Sequence, residues 1–258
     1  MKSLIPVVVF ADVDQTFLAN DRPLFSCDVG ELLAGEGITL VLSSSMTRAE
    51  LEMCQQDLGI RQPFICESGA AVLVPHDYFP FDVPCDRELT GYHLVEFGVP
   101  YSEVVAVLHR VTMRLGVPVV GFSDLSVEQV ASQCGLSLSH ARLAKLREYN
   151  EPFRLVDAAP DARSRLRKAL HAARLACTYH APFDHVGAQV DKEAAVRLLT
   201  GLYRRLFGTL LTIGPSSPPN VAAPLRSVTN RGKWLESVVD RARRIRERRP
   251  LSRVSAAR

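Results

Sequence analysis

The sequence predicts an α/β protein: a Rossmann-like core with a mainly parallel sheet, interrupted by a smaller α/β module. Residues 7–10, 38–42 and 209–213 are short apolar runs of the kind found in strands buried on both faces. A helical pattern joins the first two runs into a βαβ unit, which favours parallel pairing. About 100 residues of alternating strand and helix patterns then precede the third run, which is enough for an inserted domain.

The first apolar run ends in two acids, Asp12 and Asp14. In open α/β sheets, ligands bind at the carboxyl ends of the strands, which is where these side chains should lie. An aspartate in that position can attack a phosphorus atom or hold a metal, and a neighbour two residues on can manage a proton. Asp-x-Asp alone is also compatible with polar residues that simply end a strand and begin a turn.

The next elements follow from local patterns. Val29, Leu32 and Leu33 share one helical face, and Gly35 and Gly37 end that helix before the strand at 38–42. Thr47 and Glu50 have capping-box spacing, which predicts a helix that continues to about residue 58. A third strand at 63–66, a turn at 67–69 and a hairpin arm at 70–74 complete the first segment.

Residues 75–84 are rich in proline and aromatics and lack a period, so we interpret them as a linker. Beyond it, strands are expected at 94–97, 117–122, 153–156 and 175–179, with helices at 102–115, 126 onward, 139–147 and 161–173. The expected domains are therefore a core of residues 1–84 and 184–258 and a cap of residues 85–183. The core resumes with a helix that begins at Asp191 and Lys192, and a last helix covers about 232–247.

The composition, 47% hydrophobic and 23% charged over 258 residues, is that of an ordinary globular protein. Eight arginines and one glutamate from Arg241 to Arg258 give +7, so residues 1–240 carry −4 within the total of +3. No aromatic residue lies among these arginines, which disfavours nucleic acid as a partner. No stretch approaches the roughly 18 apolar residues that a membrane span needs, and we expect a cytoplasmic protein.

The six cysteines form no Cys-x-x-Cys pair, so their spacing suits neither a zinc site nor a disulfide scaffold. Three other polar groups do form a chemical pattern, since Asp12 with Asp14, Ser44 and Lys192 all lie at strand ends or a helix start. Phosphoryl transfer needs a nucleophile, charge neutralisation and usually a divalent metal. A carboxylate, a hydroxyl and a lysine supply much of that set.

These motifs resemble those of the haloacid dehalogenase (HAD) superfamily and, within it, the mannosyl-3-phosphoglycerate phosphatase family. Asp12-Val13-Asp14-Gln15-Thr16 is similar to DxDGT, and residues 44–50 are similar to TSKTRAE with Met46 in place of lysine. Residues 64–70 resemble FIVENGA, residues 147–153 resemble REYDEPF, and Asp191-Lys192-Glu193 stands where the family has DKG. The resemblance extends from Asp12 to about residue 225.

The resemblance implies roles for these residues. Asp12 would form an aspartyl-phosphate, Asp14 would act as acid and base, Ser44 would hold a phosphoryl oxygen, and Lys192 would offset charge. Mg²⁺ would bind Asp12, the backbone carbonyl of Asp14 and an acid of the fourth motif. The expected substrate-binding residues are Ser45, Arg48, Glu67, Gly69 and Asn220. The implied substrate is a small phosphorylated sugar or glycerate, most specifically mannosyl-3-phosphoglycerate, which would yield mannosylglycerate.

The fourth motif departs from the family pattern GLGDSPND, because Ser217 and Val221 replace its two acids. In the cap, Pro182 stands where the family has an arginine. Three hypotheses therefore remain open. In the first, the protein is a phosphatase, and Ser217, Asn220 and waters complete the coordination of its Mg²⁺. In the second, it is a non-catalytic phosphate-binding or regulatory protein. In the third, it is a nucleic-acid-associated protein that acts through its arginine-rich tail.

Overall fold

The computed structural model describes residues 5–13, 29–157, 159–180, 182–213 and 231–248. The strands are β1 Val7–Asp12, β2 Ile38–Ser43, β3 Phe64–Cys66, β4 Ala71–Pro75, β5 Arg87–Leu89, β6 Tyr92–Glu96, β7 Val119–Gly121, β8 Asn150–Leu155, β9 Leu175–His180, β10 Phe183–Ala188 and β11 Leu211–Ile213. The helices are α1 Val29–Gly35, α2 Arg48–Leu58, α3 Tyr101–Leu115, α4 Val127–Cys134, α5 Leu138–Ala144, α6 Ala162–Ala172, α7 Lys192–Phe207 and α8 Arg231–Arg248, and a 3-10 turn covers Glu67–Gly69.

The larger sheet has seven strands in the order β11-β1-β2-β3-β4-β6-β5. The first four pair in parallel, with β1 between β2 and β11. Strands β4, β6 and β5 extend the sheet by antiparallel pairing. The predicted α/β architecture with a mainly parallel core is confirmed.

Strand β1 is buried on both faces, as its unbroken apolar sequence predicts. Val7 and Val9 pack with helices α1, α2 and α8 through residues such as Leu33, Leu51 and Val238. Val8 and Phe10 face the opposite layer, where α7 contributes Ala195, Leu199 and Tyr203. Two covered faces leave the carboxyl end of β1 as the accessible end of a rigid strand.

Helices α1 and α2 begin and end close to the predicted residues. Helix α2 has the predicted capping box, because the Thr47 hydroxyl accepts from the Glu50 amide and the Glu50 carboxylate accepts from the Thr47 amide. The predicted apolar face of α1 is only partly right: Val29 and Leu33 are buried, whereas Leu32 is 44% exposed. A helix of seven residues buries one narrow row of side chains against the sheet, here Val29 and Leu33, and Leu32 lies beside that row.

The smaller sheet is antiparallel, in the order β7-β8-β10-β9. Helices α3 and α6 pack on it through Val104, Leu108, Leu166 and Leu170. Helices α4 and α5 form a separate cluster with Phe122 and Phe183.

Sheet membership divides the chain at different residues from those expected. Strands β5 and β6 fall in the expected cap but belong to the larger sheet, and β10 falls almost wholly in the expected core but belongs to the smaller sheet. The Pro- and aromatic-rich segment at 75–84 therefore does not lead out of the core. Its Phe79 packs under the large sheet against Tyr203. We propose that the inserted domain comprises about residues 99–189.

The basic C-terminal segment begins as part of the core. Arg246 of α8 donates to the backbone carbonyls of Ile5, Glu36 and Gly37, and Arg243 pairs with the Glu36 carboxylate. Residues 249–258 lie outside the described part of the chain. Among the described residues, no helix has the length and apolar character to cross a membrane.

Candidate active site

Asp12 is the last residue of β1 and lies at the carboxyl end of the parallel sheet, as predicted. Its Cα pairs with that of Ser43 at the end of β2, so two neighbouring strands finish at the same level. The Asp12 side chain is 30% exposed, in contrast to the buried strand that precedes it. Its carboxylate can therefore meet a ligand from solvent while its backbone stays fixed.

Lys192, which is remote in sequence, is brought to this carboxylate. Its Nζ atom lies 3.5 Å from Asp12 Oδ1. Lys192 is the first residue of α7, and the carboxylate of Asp191 caps that helix by accepting from the Glu193 amide. The arrangement places the Lys192 ammonium beside the Asp12 carboxylate at the carboxyl end of the sheet, where it can offset negative charge.

Gly69 holds the start of α7 close to the 3-10 turn. It has a φ of +99°, and a Cβ on it would lie 2.8 Å from Lys192 Cα and 3.2 Å from Lys192 Cβ. Any larger residue would push against the backbone that carries the lysine. The structure thus gives Gly69 a positioning contact with Lys192, while its predicted contact with substrate stays a prediction.

Ser44 follows β2 and is fully buried. Its hydroxyl donates to the backbone carbonyl of Val13 at 2.5 Å and accepts from the Met46 amide at 3.1 Å. These bonds join the loop after β2 to the residue that follows Asp12. In this conformation the Ser44 proton is used to shape the site, and its predicted bond to a phosphoryl oxygen stays a prediction.

Glu67, predicted to bind substrate, holds the inserted domain. Its buried carboxylate accepts hydrogen bonds from the backbone amides of Glu148, Tyr149 and Asn150, at 2.8, 3.1 and 2.8 Å. Burial raises the pKa of Glu67, and the Arg147 charge and these three amides act in the opposite direction. The contacts are the reason for a buried acid at this position.

Ser45 and Arg48 also contact the segment 147–150. The Ser45 carbonyl accepts from Arg147 Nη1 at 2.7 Å, and Arg48 Nε lies 2.9 Å from Glu148 Oε1. Arg147 is itself buried and also bonds the Ala144 carbonyl. The two predicted substrate-binding residues thus line the junction between the inserted domain and the active-site loop.

The remaining predicted site residues, Asp14, Ser217 and Asn220, lie outside the described part of the chain, as does Val221. Of the predicted residues that are described, Asp12, Lys192, Gly69 and Ser44 gather around the end of β1, whereas Ser45, Arg48 and Glu67 meet the segment 147–150. Arg147 and Glu148 were not predicted to act at the site. The resemblance of residues 147–153 to REYDEPF is the sequence feature that could have identified them.

Of the proposed Mg²⁺ ligands, Asp12 lies within the described residues, and its chemistry suits that ion. Asp12 offers the anionic oxygen that a hard cation favours. Within the described ranges, the one group of three or more His, Cys, Asp or Glu side chains close enough to share an ion is elsewhere, at His76, Glu88 and His93. Further oxygens for Mg²⁺ at Asp12 would come from Asp14, Ser217 and Asn220, which lie outside the described residues, together with water.

Comparison with known proteins identifies relatives over most of the chain. A glucosyl-3-phosphoglycerate/mannosyl-3-phosphoglycerate phosphatase of Methanococcoides burtonii is 35% identical over 225 residues, 86% of this chain and 82% of the relative. A protein of the same name from Persephonella marina is 31% identical over 226 residues, with the same shares covered. No model of a protein family matches the chain.

Among solved structures, a haloacid dehalogenase-like hydrolase from Bacteroides thetaiotaomicron matches with a TM-score of 0.50 and 14% identity, over 81% of this chain and 82% of that one. This similarity confirms the predicted HAD fold. The sequence relatives give the narrower assignment, which agrees with the resemblance of the motifs. The chain belongs to the glucosyl-3-phosphoglycerate/mannosyl-3-phosphoglycerate phosphatase family of phosphoric monoester hydrolases.

Proposed function

We propose that the protein hydrolyses the phosphate ester of a glycosyl-3-phosphoglycerate, with mannosyl-3-phosphoglycerate as the expected substrate and mannosylglycerate and phosphate as products. The observation that carries this proposal is the pair formed by Asp12 and Lys192, 3.5 Å apart at the end of β1. The names of the sequence relatives support the substrate class. No nucleic-acid or membrane partner is expected, and the cytoplasm remains the expected location.

In the proposed reaction, a carboxylate oxygen of Asp12 attacks the phosphorus atom. The bond from phosphorus to the glycerate oxygen breaks, and Asp14 gives that oxygen a proton. Asp14 then takes a proton from water, which attacks the aspartyl-phosphate and releases inorganic phosphate with Asp12 restored. Throughout, the Lys192 ammonium offsets negative charge on the carboxylate and on the transferred group.

Mg²⁺, when bound, would neutralise charge on the phosphoryl oxygens and help to orient the group for attack. Asp12, the Asp14 carbonyl and the Ser217 hydroxyl would hold it, with Asn220 and water. A hydroxyl is a weaker ligand for a hard cation than a carboxylate, so we expect a weaker site than a fourth-motif acid would give.

A substrate panel tests this proposal. The panel contains mannosyl- and glucosyl-3-phosphoglycerate, 3-phosphoglycerate and simple hexose phosphates, each measured with Mg²⁺ and with a chelator. We expect the two glycosyl-3-phosphoglycerates to be the best substrates and the chelator to abolish turnover. Asp12→Asn should remove activity, whereas Asp57→Asn, at an exposed position of α2, should retain it.

The second candidate function is phosphate-ester binding without turnover, and the replacement of both fourth-motif acids by Ser217 and Val221 favours it. It predicts that the purified protein binds mannosyl-3-phosphoglycerate in calorimetry but releases no phosphate at millimolar Mg²⁺. Turnover that Asp12→Asn abolishes would reject it.

A further inference from the structure

Three potential metal ligands meet at the far edge of the large sheet. His76 Nε2 lies 2.8 Å from Glu88 Oε2, and His93 Nδ1 lies 2.7 Å from Glu88 Oε1. One nitrogen from each histidine and one carboxylate oxygen all lie within 4.8 Å of one another. Two imidazoles and a carboxylate therefore share one small volume at a surface open to solvent.

The backbone of three strands holds these residues in place. His93 in β6 pairs directly with Glu88 in β5, and on its other side with Val74 in β4. His76 follows β4, and its amide donates to the Gly91 carbonyl in the turn between β5 and β6. Because cross-strand partners on one face lie about 5 Å apart, this register fixes the spacing of Glu88 and His93, and the amide bond to Gly91 holds His76 beside them.

The donor set selects the class of ion. Zn²⁺ takes imidazole nitrogen and carboxylate oxygen, often as three protein ligands with water in the fourth position, whereas Mg²⁺ prefers oxygen alone. We propose that His76, Glu88 and His93 form a Zn²⁺ site, with water as the fourth ligand. Nothing in the proposed phosphatase reaction uses it.

Binding would need only a small local change. The ring nitrogens that face Glu88 now share hydrogen bonds with it, so each neutral ring would move that proton to its other nitrogen and present a lone pair. The His76 and His93 nitrogens lie 2.8 and 2.7 Å from the two different oxygens of Glu88, each somewhat closer than the roughly 3.3 Å expected between ligands about 2.0 Å from a tetrahedral zinc. Side-chain rotation of the exposed Glu88 and the partly exposed histidines can supply that difference without moving the strands.

The position indicates what a bound ion would do. Strand β5 is the outermost strand of the sheet, and it is only three residues long. An ion held by Glu88 and the two histidines would link β4, β5 and β6 across their side chains. Strands β2, β3 and β4 separate this edge from β1, so the site is distinct from Asp12.

Cys85 lies beside the cluster, with Sγ 3.4 Å from Glu88 Oε1, and its thiol is exposed. A thiol binds zinc well, so it could hold the ion without the histidines. The experiment therefore compares wild-type protein with Cys85→Ser, and the proposal requires that both bind.

Zinc is titrated into the untagged full-length protein in competition with a chromophoric chelator. We expect one equivalent to bind to wild-type protein, to Cys85→Ser and to Asp12→Asn. Affinity should fall more than about 100-fold in His76→Ala and in His93→Ala, since loss of a ligand should exceed the loss of an outer-shell partner. His109→Ala is the matched control, because that exposed histidine lies 3.8 Å from Asp124 on the inserted domain and should leave zinc binding unchanged.

A second readout shows that the variants are folded. Zinc should raise the midpoint of thermal unfolding of wild-type protein and of His109→Ala, but not of His76→Ala or His93→Ala, each of which should still unfold cooperatively. Absence of one-equivalent binding to wild-type protein would overturn the proposal. So would retention of binding in both histidine variants, or its loss in Cys85→Ser or Asp12→Asn.

Discussion

Gly69 and Lys192 lie in direct backbone contact, so closely that a Cβ on Gly69 would come within 2.8 Å of Lys192 Cα. The glycine belongs to the turn after β3, and the lysine opens α7, so the contact joins two halves of the core across the inserted domain. It fixes the backbone from which the lysine reaches Asp12.

We expect Gly69→Ala to lower kcat as well as stability. The positive φ alone should cost about 1–2 kcal/mol of stability, and the clash should also displace Lys192 from Asp12. Gly91→Ala is the matched control, since Gly91 has a φ of +86° but a Cβ on it would meet no atom of the described residues within 4 Å. Unfolding in denaturant and steady-state kinetics measure the two effects. An unchanged kcat in Gly69→Ala would contradict the positioning role.

Glu67→Gln should destabilise the protein by about 1–3 kcal/mol, because one amide oxygen would replace a carboxylate that accepts three backbone hydrogen bonds. Glu52→Gln is the control, since Glu52 forms a partly exposed ion pair with Arg48 and its replacement should cost at most about 1 kcal/mol. Denaturant unfolding compares the two. Equal costs would show that the buried contacts with residues 148–150 contribute little.

The ion pair between Glu36 and Arg243 predicts a pH dependence of stability. The hydrogen bond from Arg243 lowers the pKa of Glu36 below its ordinary value of 4.5. A carboxyl group with a lowered folded-state pKa stabilises the fold above its unfolded pKa, and that stability is lost as the pH falls through the folded pKa. Solvent screening should limit the effect to about 1 kcal/mol.

Glu36→Gln should therefore reduce the free energy of unfolding near neutral pH and have little effect in acid below the lowered pKa. The comparison uses denaturant unfolding of wild type and variant at both pH values, with the exposed Glu103→Gln as control. A difference between wild type and Glu36→Gln that does not shrink in acid would contradict the assigned pKa.

Ser217→Asp tests the metal hypothesis by exchanging the proposed hydroxyl ligand for a carboxylate. Restoring the family's acid adds an anionic oxygen, so the Mg²⁺ concentration for half-maximal rate should fall by about tenfold or more. The control is Ser216→Asp, which adds the same charge one position away. Equal Mg²⁺ requirements in wild type and Ser217→Asp would show that residue 217 does not bind the ion.

Local physics explains what the sequence could predict. The strand at 7–12 follows from its apolar run, and the capping box of Thr47 and Glu50 from residues three apart. Sequence patterns placed Asp12 at a strand end and Lys192, 180 positions later, at a helix start, and the resemblance to a family gave the stronger reason to expect them together. The family also determined the phosphatase assignment.

The contacts that sequence patterns missed depend on tertiary structure. Nothing in residues 64–70 shows that Glu67 accepts from amides more than 80 positions later. Strands β5 and β6 lie at the edge of the sheet, where backbone pairing defines them and their sequences show no clear hydrophobic periodicity. Residues 75–96 were therefore predicted to be a linker and the start of the cap. The cluster at His76, Glu88 and His93 depends on that pairing, and its spacing matches no zinc motif.

The proposed attack of the Asp12 carboxylate on phosphorus forms a covalent aspartyl-phosphate, and trapping that intermediate is the decisive test. The enzyme is mixed with mannosyl-3-phosphoglycerate and Mg²⁺, quenched in acid during turnover, digested and analysed by mass spectrometry. We predict one added phosphoryl group on the peptide that contains Asp12, located on Asp12 by fragmentation and absent in Asp12→Asn. Turnover with no phosphoryl group on that peptide, or with the group on another residue, would show that Asp12 is not the nucleophile.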